Sequence, residues 1–479
     1  MELWQALARW ANQRPDHLAL LTVESRLTYA QLASRSGALA KRLESVPGNR
    51  IAVHTSDPIE MAIAFYAIAR SGKTLVVIDP AWPGKLATSM ATALQCDFVL
   101  EWTVPRPLPG VPRFALPPEP PEPGEYIAPA TKTHCAEDLL IICTSGSSSR
   151  PKAVLRSAAS WEASLSAGAT ILGASPDDST LCPSPISHGL GLYAMVESLH
   201  AGGTFLASGK WDQKGVASLL ARVSCTRIVS VPTILGKVLA LDDPARFSSL
   251  RLVISGGEFL DQETMQTLHQ MAPSARCVEY FGSSEHSLIA YRERLANQPR
   301  TPYFDGQLFP GVQAHTHEAT PGSGFGSLYI DSPFNAKGYD LSSDSVISRC
   351  GTAIGIGDQA KLLGSNRIVL SRRNDGMMNL NGNNIHPGEV GAALNAEGLA
   401  NAVVRIDASS APAKLLAYTV SPPRNPSALL TGLQKHLPQY KIPHQIIYLR
   451  SWPETFSGKL NASALDFQDL DIERSDWLR

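Results

Sequence analysis

Short apolar runs separated by amphipathic stretches set the rhythm of this chain. IAVHTS at 51–56 reads as a buried strand, PIEMAIAFYAIARSG as a helix, and TLVVID at 74–79 as a second strand stopped by Pro80. The same β-α-β spacing returns at TRIVSV (226–231) and RLVISGG (251–257), so the first three quarters of the chain predict α/β layers with mainly parallel sheet. Residues 104–130 are crowded with proline, which withholds backbone donors, and predict a surface connection. From about 376 the pattern changes to a glycine- and asparagine-rich loop, a hairpin (AVVRID with KLLAYTV), a helix around ALLTGLQKHL and a strand IIYLR, which together predict a small α+β domain. At 479 residues the chain exceeds what one hydrophobic core organises. The expected division is a large core domain of layered sheets and helices over 1–373 and a small, mobile α+β domain over 374–479.

Composition changes this picture little. The 44% hydrophobic and 18% charged residues are those of an ordinary globular protein, so no disordered class is needed. With 42 basic against 43 acidic residues, nothing pulls the chain as a whole toward nucleic acid or anionic lipid. The start MELWQALARW lacks the basic and long apolar regions of a secretory signal, and no run of 18 apolar residues follows, so a cytoplasmic location is expected. The seven cysteines are odd in number and scattered, with no C-x-x-C pair, and predict reduced, mostly buried thiols.

The segment richest in chemistry is LLIICTSGSSSRPKAV, an apolar strand running into a loop of small residues. Gly146 allows backbone amides to approach a ligand, Thr144, Ser145, Ser147 and Ser148 add short donors, and Lys152 adds a positive charge, a combination suited to phosphate oxygens. A P-loop is excluded, because G-x-x-x-x-G-K-[ST] requires glycine where Pro151 stands. The S-x-x-K formed by Ser149 and Lys152 lacks the K-T-G and S-D-N partners of penicillin-binding enzymes and is taken as chance.

TSGSSSRPK resembles the phosphate loop T-S-G-[ST]-[ST]-G-x-P-K-G of the acyl-adenylate-forming family, which includes acyl- and aryl-CoA synthetases, nonribosomal adenylation domains and luciferases. Further stretches resemble the family's motifs in the family's order. They are VVIDPAWP (76–83), YFGSSEH (280–286), GIGDQAK (355–361) followed by RRNDGMMNLNGNNIHPGEV, and PETFSGKL (453–460). The resemblance implies a two-step ligase: a carboxylate attacks Mg-ATP to give acyl-AMP, and a pantetheine thiol then displaces AMP. ATP and Mg²⁺ are therefore the expected cofactors, with coenzyme A or a separate acyl carrier protein as acceptor.

Residue by residue, the resemblance implies that Thr144, Ser145, Gly146, Ser147, Ser148 and Lys152 hold phosphate. Gly256, Gly257 and Glu258 line the adenine side, and Tyr280, Phe281, Gly282, Ser283 and Ser284 belong to the nucleotide-binding stretch. Glu285 holds magnesium, Asp358 accepts the ribose hydroxyls, and Arg373 reaches ribose or phosphate. Lys459 bridges the substrate carboxylate and the nucleotide, and Asp375 is the hinge on which the small domain turns between the two steps. Plainer alternatives exist for each: a solvated surface lysine for Lys152, a helix-start carboxylate for Glu285, a turn residue for Asp358, a tail lysine for Lys459. The resemblance decides against them. Ser149, Ala153, Ser327 and Asn379 depart from the family's usual residues, and Arg372 stands where glycine is usual.

Substrate choice rests on CPSPISHGLGLYAM (182–195). Amino-acid-activating members carry F-D-x-S here, whose aspartate pairs with the ammonium. This chain has His188 followed by Gly189 instead, and an unpaired buried ammonium is costly. A plain carboxylic acid fits better. HGLG, SGGEFL and GSSE resemble benzoate-type CoA ligases, so an aromatic acid is expected first and a medium-chain acid second, against His188, Gly189, Val231, Gly256 and Gly282; the resemblance also implies a catalytic part for His188, with a packed pocket-wall histidine as the plainer alternative. The alternatives are an amino-acid-activating enzyme, a luciferase-like oxygenase and an inactive nucleotide- or acyl-AMP-binding relative. Retention of Lys152, Glu285, Asp358 and Lys459 speaks against the last.

Overall fold

A computed structural model describes residues 2–102, 106–116, 137–144, 151–209, 211–241, 243–257, 260, 262–295, 304–317, 324–340, 347–370, 378–381, 383–385, 387–400, 402–407, 410, 412–453, 465 and 470–479. The first apolar run forms the strand Arg50–Val53, and the polar His54, Thr55 and Ser56 already lie beyond its end. The helix Pro58–Ser71 starts where Asp57 accepts from the Ile59 amide and Pro58 supplies a preset φ. It stops at Gly72, whose φ of 71° suits a residue without Cβ. This helix is buried on nearly every face, which explains its apolar composition all round. The chain returns as Thr74–Val77, parallel to Arg50–Val53.

Two sheets carry the larger part of the molecule. In the seven-stranded sheet, Phe98–Glu101, Arg50–Val53, Thr74–Val77 and Asp138–Thr144 run parallel, and Lys152–Ser157 pairs antiparallel with the last of these. In the fifteen-stranded sheet, Leu18–Thr22, Thr204–Ala207, Ser179–Cys182, Arg227–Ser230, Leu252–Gly256 and Arg276–Ser283 run parallel in that order. Beyond Arg276–Ser283 the same sheet continues antiparallel through Ser287–Arg294, Phe304–Leu308 and Arg367–Leu370. The parallel expectation therefore covers only part of this sheet. A connection as short as the one between Ser283 and Ser287 admits a hairpin and leaves no room for a crossover helix.

By its own packing the chain divides into two compact units, one built from Met1–Pro80, Thr88–Thr144 and Lys152–Asn374 and a smaller one built chiefly from Asp375–Arg479. In the smaller unit the hairpin Val403–Asp407 and Lys414–Thr419 is antiparallel, and Gln445–Leu449 lies parallel to its second strand. A strand absent from the sequence reading, Ile472–Trp477, closes that sheet against Gln445–Leu449. Leu394, Leu415, Leu433 and Ile446 fill the core of the unit, beside a buried ion pair in which Lys441 Nζ lies 2.8 and 2.7 Å from the carboxylate oxygens of Glu389.

Of the described cysteines, Cys182, Cys225 and Cys277 are buried, Cys96 and Cys143 half-buried and Cys350 exposed, and all are free thiols. Burial pushes the Cys225 and Cys277 thiols up to about 12. Cys350 differs, with its Sγ 3.1 Å from His317 Nε2. No helix among the described residues is long and apolar enough to cross a membrane.

Candidate active site

In open α/β sheets ligands collect beyond the carboxyl ends of the parallel strands. Thr144 is the last residue of Asp138–Thr144, and in the antiparallel register it faces Lys152, the first residue of the next strand. One register position thus holds both ends of the phosphate-loop motif. Two residues on, Val154 pairs with Tyr339, whose ring centroid lies 5.2 Å from Lys152 Nζ, a cation–π distance. The Tyr339 hydroxyl donates to Glu285 Oε1 at 2.8 Å, and Glu285 is only 6% exposed.

Glu285 occupies the tip of the hairpin between Arg276–Ser283 and Ser287–Arg294. The tip is held tightly. Ser283 Oγ accepts from the His286 amide at 3.1 Å and lies 3.0 Å from His286 Nδ1, while His286 Nε2 lies 3.0 Å from the Ile354 carbonyl. Ser287 closes the turn at φ 61°, a left-handed conformation unusual for a residue with a Cβ. From the other side Arg156, 2% exposed, donates to the carbonyls of Ser284 and Phe334, tying the phosphate-loop strand to the hairpin tip. Burial pushes its guanidinium down to about 10, and Tyr193 and Glu285 draw it partly back up.

The helix Gly189–Ala201 begins beside this tip: a Cβ placed on Gly189 would lie 3.4 Å from Ser284 Oγ. His188 caps that helix without a side-chain capping bond. Its Nε2 lies 3.0 Å from Asp79 Oδ2, and Ser187 Oγ donates to Asp79 Oδ1 at 3.3 Å. Asp79 follows the strand Thr74–Val77, so the matched VVIDP segment delivers a carboxylate to the base of the helix. Residue chemistry alone gave Asp79, Tyr339 and Arg156 no role, because each acquires its partner through tertiary pairing.

A second group gathers at the carboxyl ends of three adjacent parallel strands of the large sheet. Val231 follows Arg227–Ser230, Gly256 ends Leu252–Gly256, and Gly256 is in register with Tyr280. A Cβ on Gly256 would stand 2.4 Å from the Tyr280 ring, and one on Gly282 would stand 2.0 Å from the Ser287 carbonyl oxygen, so both positions require glycine. Gly257 adopts φ 83° against Val231. Phe281, on the opposite strand face from Tyr280, packs its ring against Phe304 with centroids 6.2 Å apart. Asp358, 7% exposed, comes four residues after Ile354, the residue whose carbonyl receives His286, and its own carbonyl accepts from the Leu328 amide at 2.8 Å. Ser145, Gly146, Ser147, Ser148, Glu258, Arg373, Asp375 and Lys459 lie outside the described residues.

Among the described residues no group of three or more His, Cys, Asp or Glu side chains gathers as a ready-made metal cage. One buried carboxylate with a neutral hydroxyl partner is a donor set suited to magnesium that arrives with phosphate oxygens as its remaining ligands. Glycine surfaces without Cβ, a lysine and short hydroxyl donors suit the phosphates and base of a nucleotide.

Comparison with known proteins adds to this. A family model described as "AMP-binding enzyme" matches residues 7–340. The uncharacterized acyl-CoA ligase YhfT of Bacillus subtilis is 25% identical over 491 residues, covering 97% of this chain and 97% of its own. A malonyl-CoA ligase, solved with methylmalonyl-CoA and AMP bound, superposes with a TM-score of 0.77 at 22% identity, over 92% of this chain and 97% of its own. The o-succinylbenzoate CoA synthetase of Bacillus subtilis does so with a TM-score of 0.78 at 21% identity, over 97% of this chain and 99% of its own. These two likenesses establish a shared fold.

Proposed function

The chain belongs to the AMP-binding enzyme family, and from that premise we propose that it is an AMP-forming acid–thiol ligase acting on a plain carboxylic acid, an aromatic acid first and a medium-chain acid second. One observation carries the reading: the series of contacts from Thr144 and Lys152 through Tyr339 to Glu285, at a hairpin tip that stands next to Gly189, which gathers a cation, a carboxylate and a helix start from distant parts of the chain. In the first step the acid's oxygen attacks the α-phosphorus of ATP as the bond to pyrophosphate breaks. Lys152 offsets phosphate charge, Glu285 with phosphate oxygens would hold magnesium, and Asp358 accepts from the ribose hydroxyls. Bound magnesium would supply charge neutralisation at the phosphates. Lys459 bridges acid and nucleotide in this step.

In the second step a pantetheine sulfur, having lost its proton, attacks the acyl carbon and the bond to AMP breaks. The acceptor is coenzyme A or a separate carrier protein. Support for a plain acid over an amino acid comes from Gly189 at the helix start and from Asp79, the nearby carboxylate, already accepting from Ser187 and facing His188. ATP–pyrophosphate exchange against benzoates, fatty acids and amino acids, followed by mass analysis of the acyl thiol, tests the proposal. Exchange driven by benzoates and an acyl-thiol product are expected. No exchange with any acid would overturn the ligase reading, and exchange with amino acids alone would replace the substrate class.

A further inference from the structure

The VVIDP segment matches its family yet has no function assigned above, and Asp79 within it is 6% exposed. Its two oxygens face different donors, Ser187 Oγ at 3.3 Å and His188 Nε2 at 3.0 Å. The side chain of His188 is 29% exposed against 9% for Asp79, so the carboxylate lies behind the imidazole. A carboxylate accepts only, which requires the proton of a neutral His188 ring on Nε2 and leaves Nδ1 as the acceptor.

Two further basic side chains, His54 and Arg106, lie near Asp79. His54, at the end of the parallel strand beside it, is pushed below the usual imidazole range chiefly by burial. Neutral His54 donates from Nδ1 to the Arg106 carbonyl at 3.2 Å and adds no cation next to Asp79. The guanidinium of Arg106 donates to the Pro80 carbonyl and to Ser56 Oγ.

We propose that Asp79 is the positioning residue of His188, holding its ring orientation and its Nε2-protonated form at the start of the helix Gly189–Ala201, next to the Ser284–Glu285 tip. What His188 contributes to turnover rests on the ligase reading above; the pairing itself does not.

The test combines ¹⁵N NMR of the histidine rings with kinetics on the full chain. In the unmodified protein the His188 resonances, assigned by their loss in His188→Ala, are expected at the shifts of a single Nε2-protonated ring. Asp79→Ala should move them to the averaged shifts of a mixture of tautomers and lower kcat about tenfold or more, while the KM for ATP stays within about twofold. Asp79→Asn, whose amide oxygen can still accept from Nε2, should restore the single form and part of kcat. The double variant Asp79→Ala/His188→Ala should be no slower than His188→Ala alone. Unchanged nitrogen shifts in Asp79→Ala, or a double variant whose loss is the product of the single losses, would overturn the proposal. If Asp79→Ala does not fold, Asp79→Ser, polar but too short to reach the ring, is read in the same way. Should the unmodified chain activate no acid, the ligase reading fails separately and the nitrogen shifts alone decide the proposal.

Discussion

Tyr339 serves two neighbours at once, its ring facing Lys152 and its hydroxyl donating to Glu285. Tyr339→Phe separates these roles, because it keeps the ring and removes the donor. Losing a hydrogen bond to a charged acceptor costs about 1.5–3 kcal/mol, so pyrophosphate exchange is expected to slow by about tenfold or more, with a raised magnesium requirement. A magnesium titration of the exchange rate checks this. For Lys459→Ala the expectation is a loss of about 10²- to 10³-fold in exchange, with acyl transfer from supplied acyl-adenylate retained. Normal exchange would remove that lysine from the mechanism. Glu60 makes a different prediction. Burial raises its carboxyl from 4.5 to about 7, despite the hydroxyl of Thr55 donating to it. A carboxyl raised on folding leaves stability intact below about 4.5 and erodes it as pH climbs through 7. Glu60→Gln should therefore raise Tm by a few degrees near pH 8 and leave it unchanged near pH 4, as calorimetry at the two pH values can check.

At the scale of elements, the hairpin Arg276–Arg294 supplies Tyr280, Gly282 and Glu285 from one rigid piece. Gly282→Ala would set a Cβ against the Ser287 carbonyl, forcing the tip that carries Glu285 to shift. Exchange activity should fall further than stability, which is expected to drop by about 1–3 kcal/mol in urea unfolding. The YFGSSEH motif singled out Glu285 in the sequence but not the hairpin that carries it, whereas unbroken apolar runs announced Arg50–Val53, Thr74–Val77 and Leu252–Gly256. Other elements left no such trace. Ile472–Trp477 is exposed at nearly every position, so no alternation marks it, and Gly338–Tyr339 is two residues long. Tyr339 and Asp79 meet Glu285 and His188 only through strand order in two sheets, information that resides in pairing and not in local pattern.

The whole molecule consists of two compact units whose boundary falls at Asn374 and Asp375. If the smaller one turns between the two chemical steps, a residue with a fixed φ at the boundary should obstruct the turn more than the chemistry. Asp375→Pro is accordingly expected to slow thioester formation about tenfold more than adenylation, measured as separate half-reactions. Equal loss in both would argue against a hinge there. The molecule also offers a means of watching such a motion. Among the described cysteines only Cys350 is exposed, beside His317 on the larger unit, whereas the thiols of Cys182, Cys225 and Cys277 are sealed inside. A maleimide fluorophore would accordingly settle on Cys350 in preference to these three, and with a second dye on the smaller unit a hinge motion, if the proposal holds, would register as a change of colour.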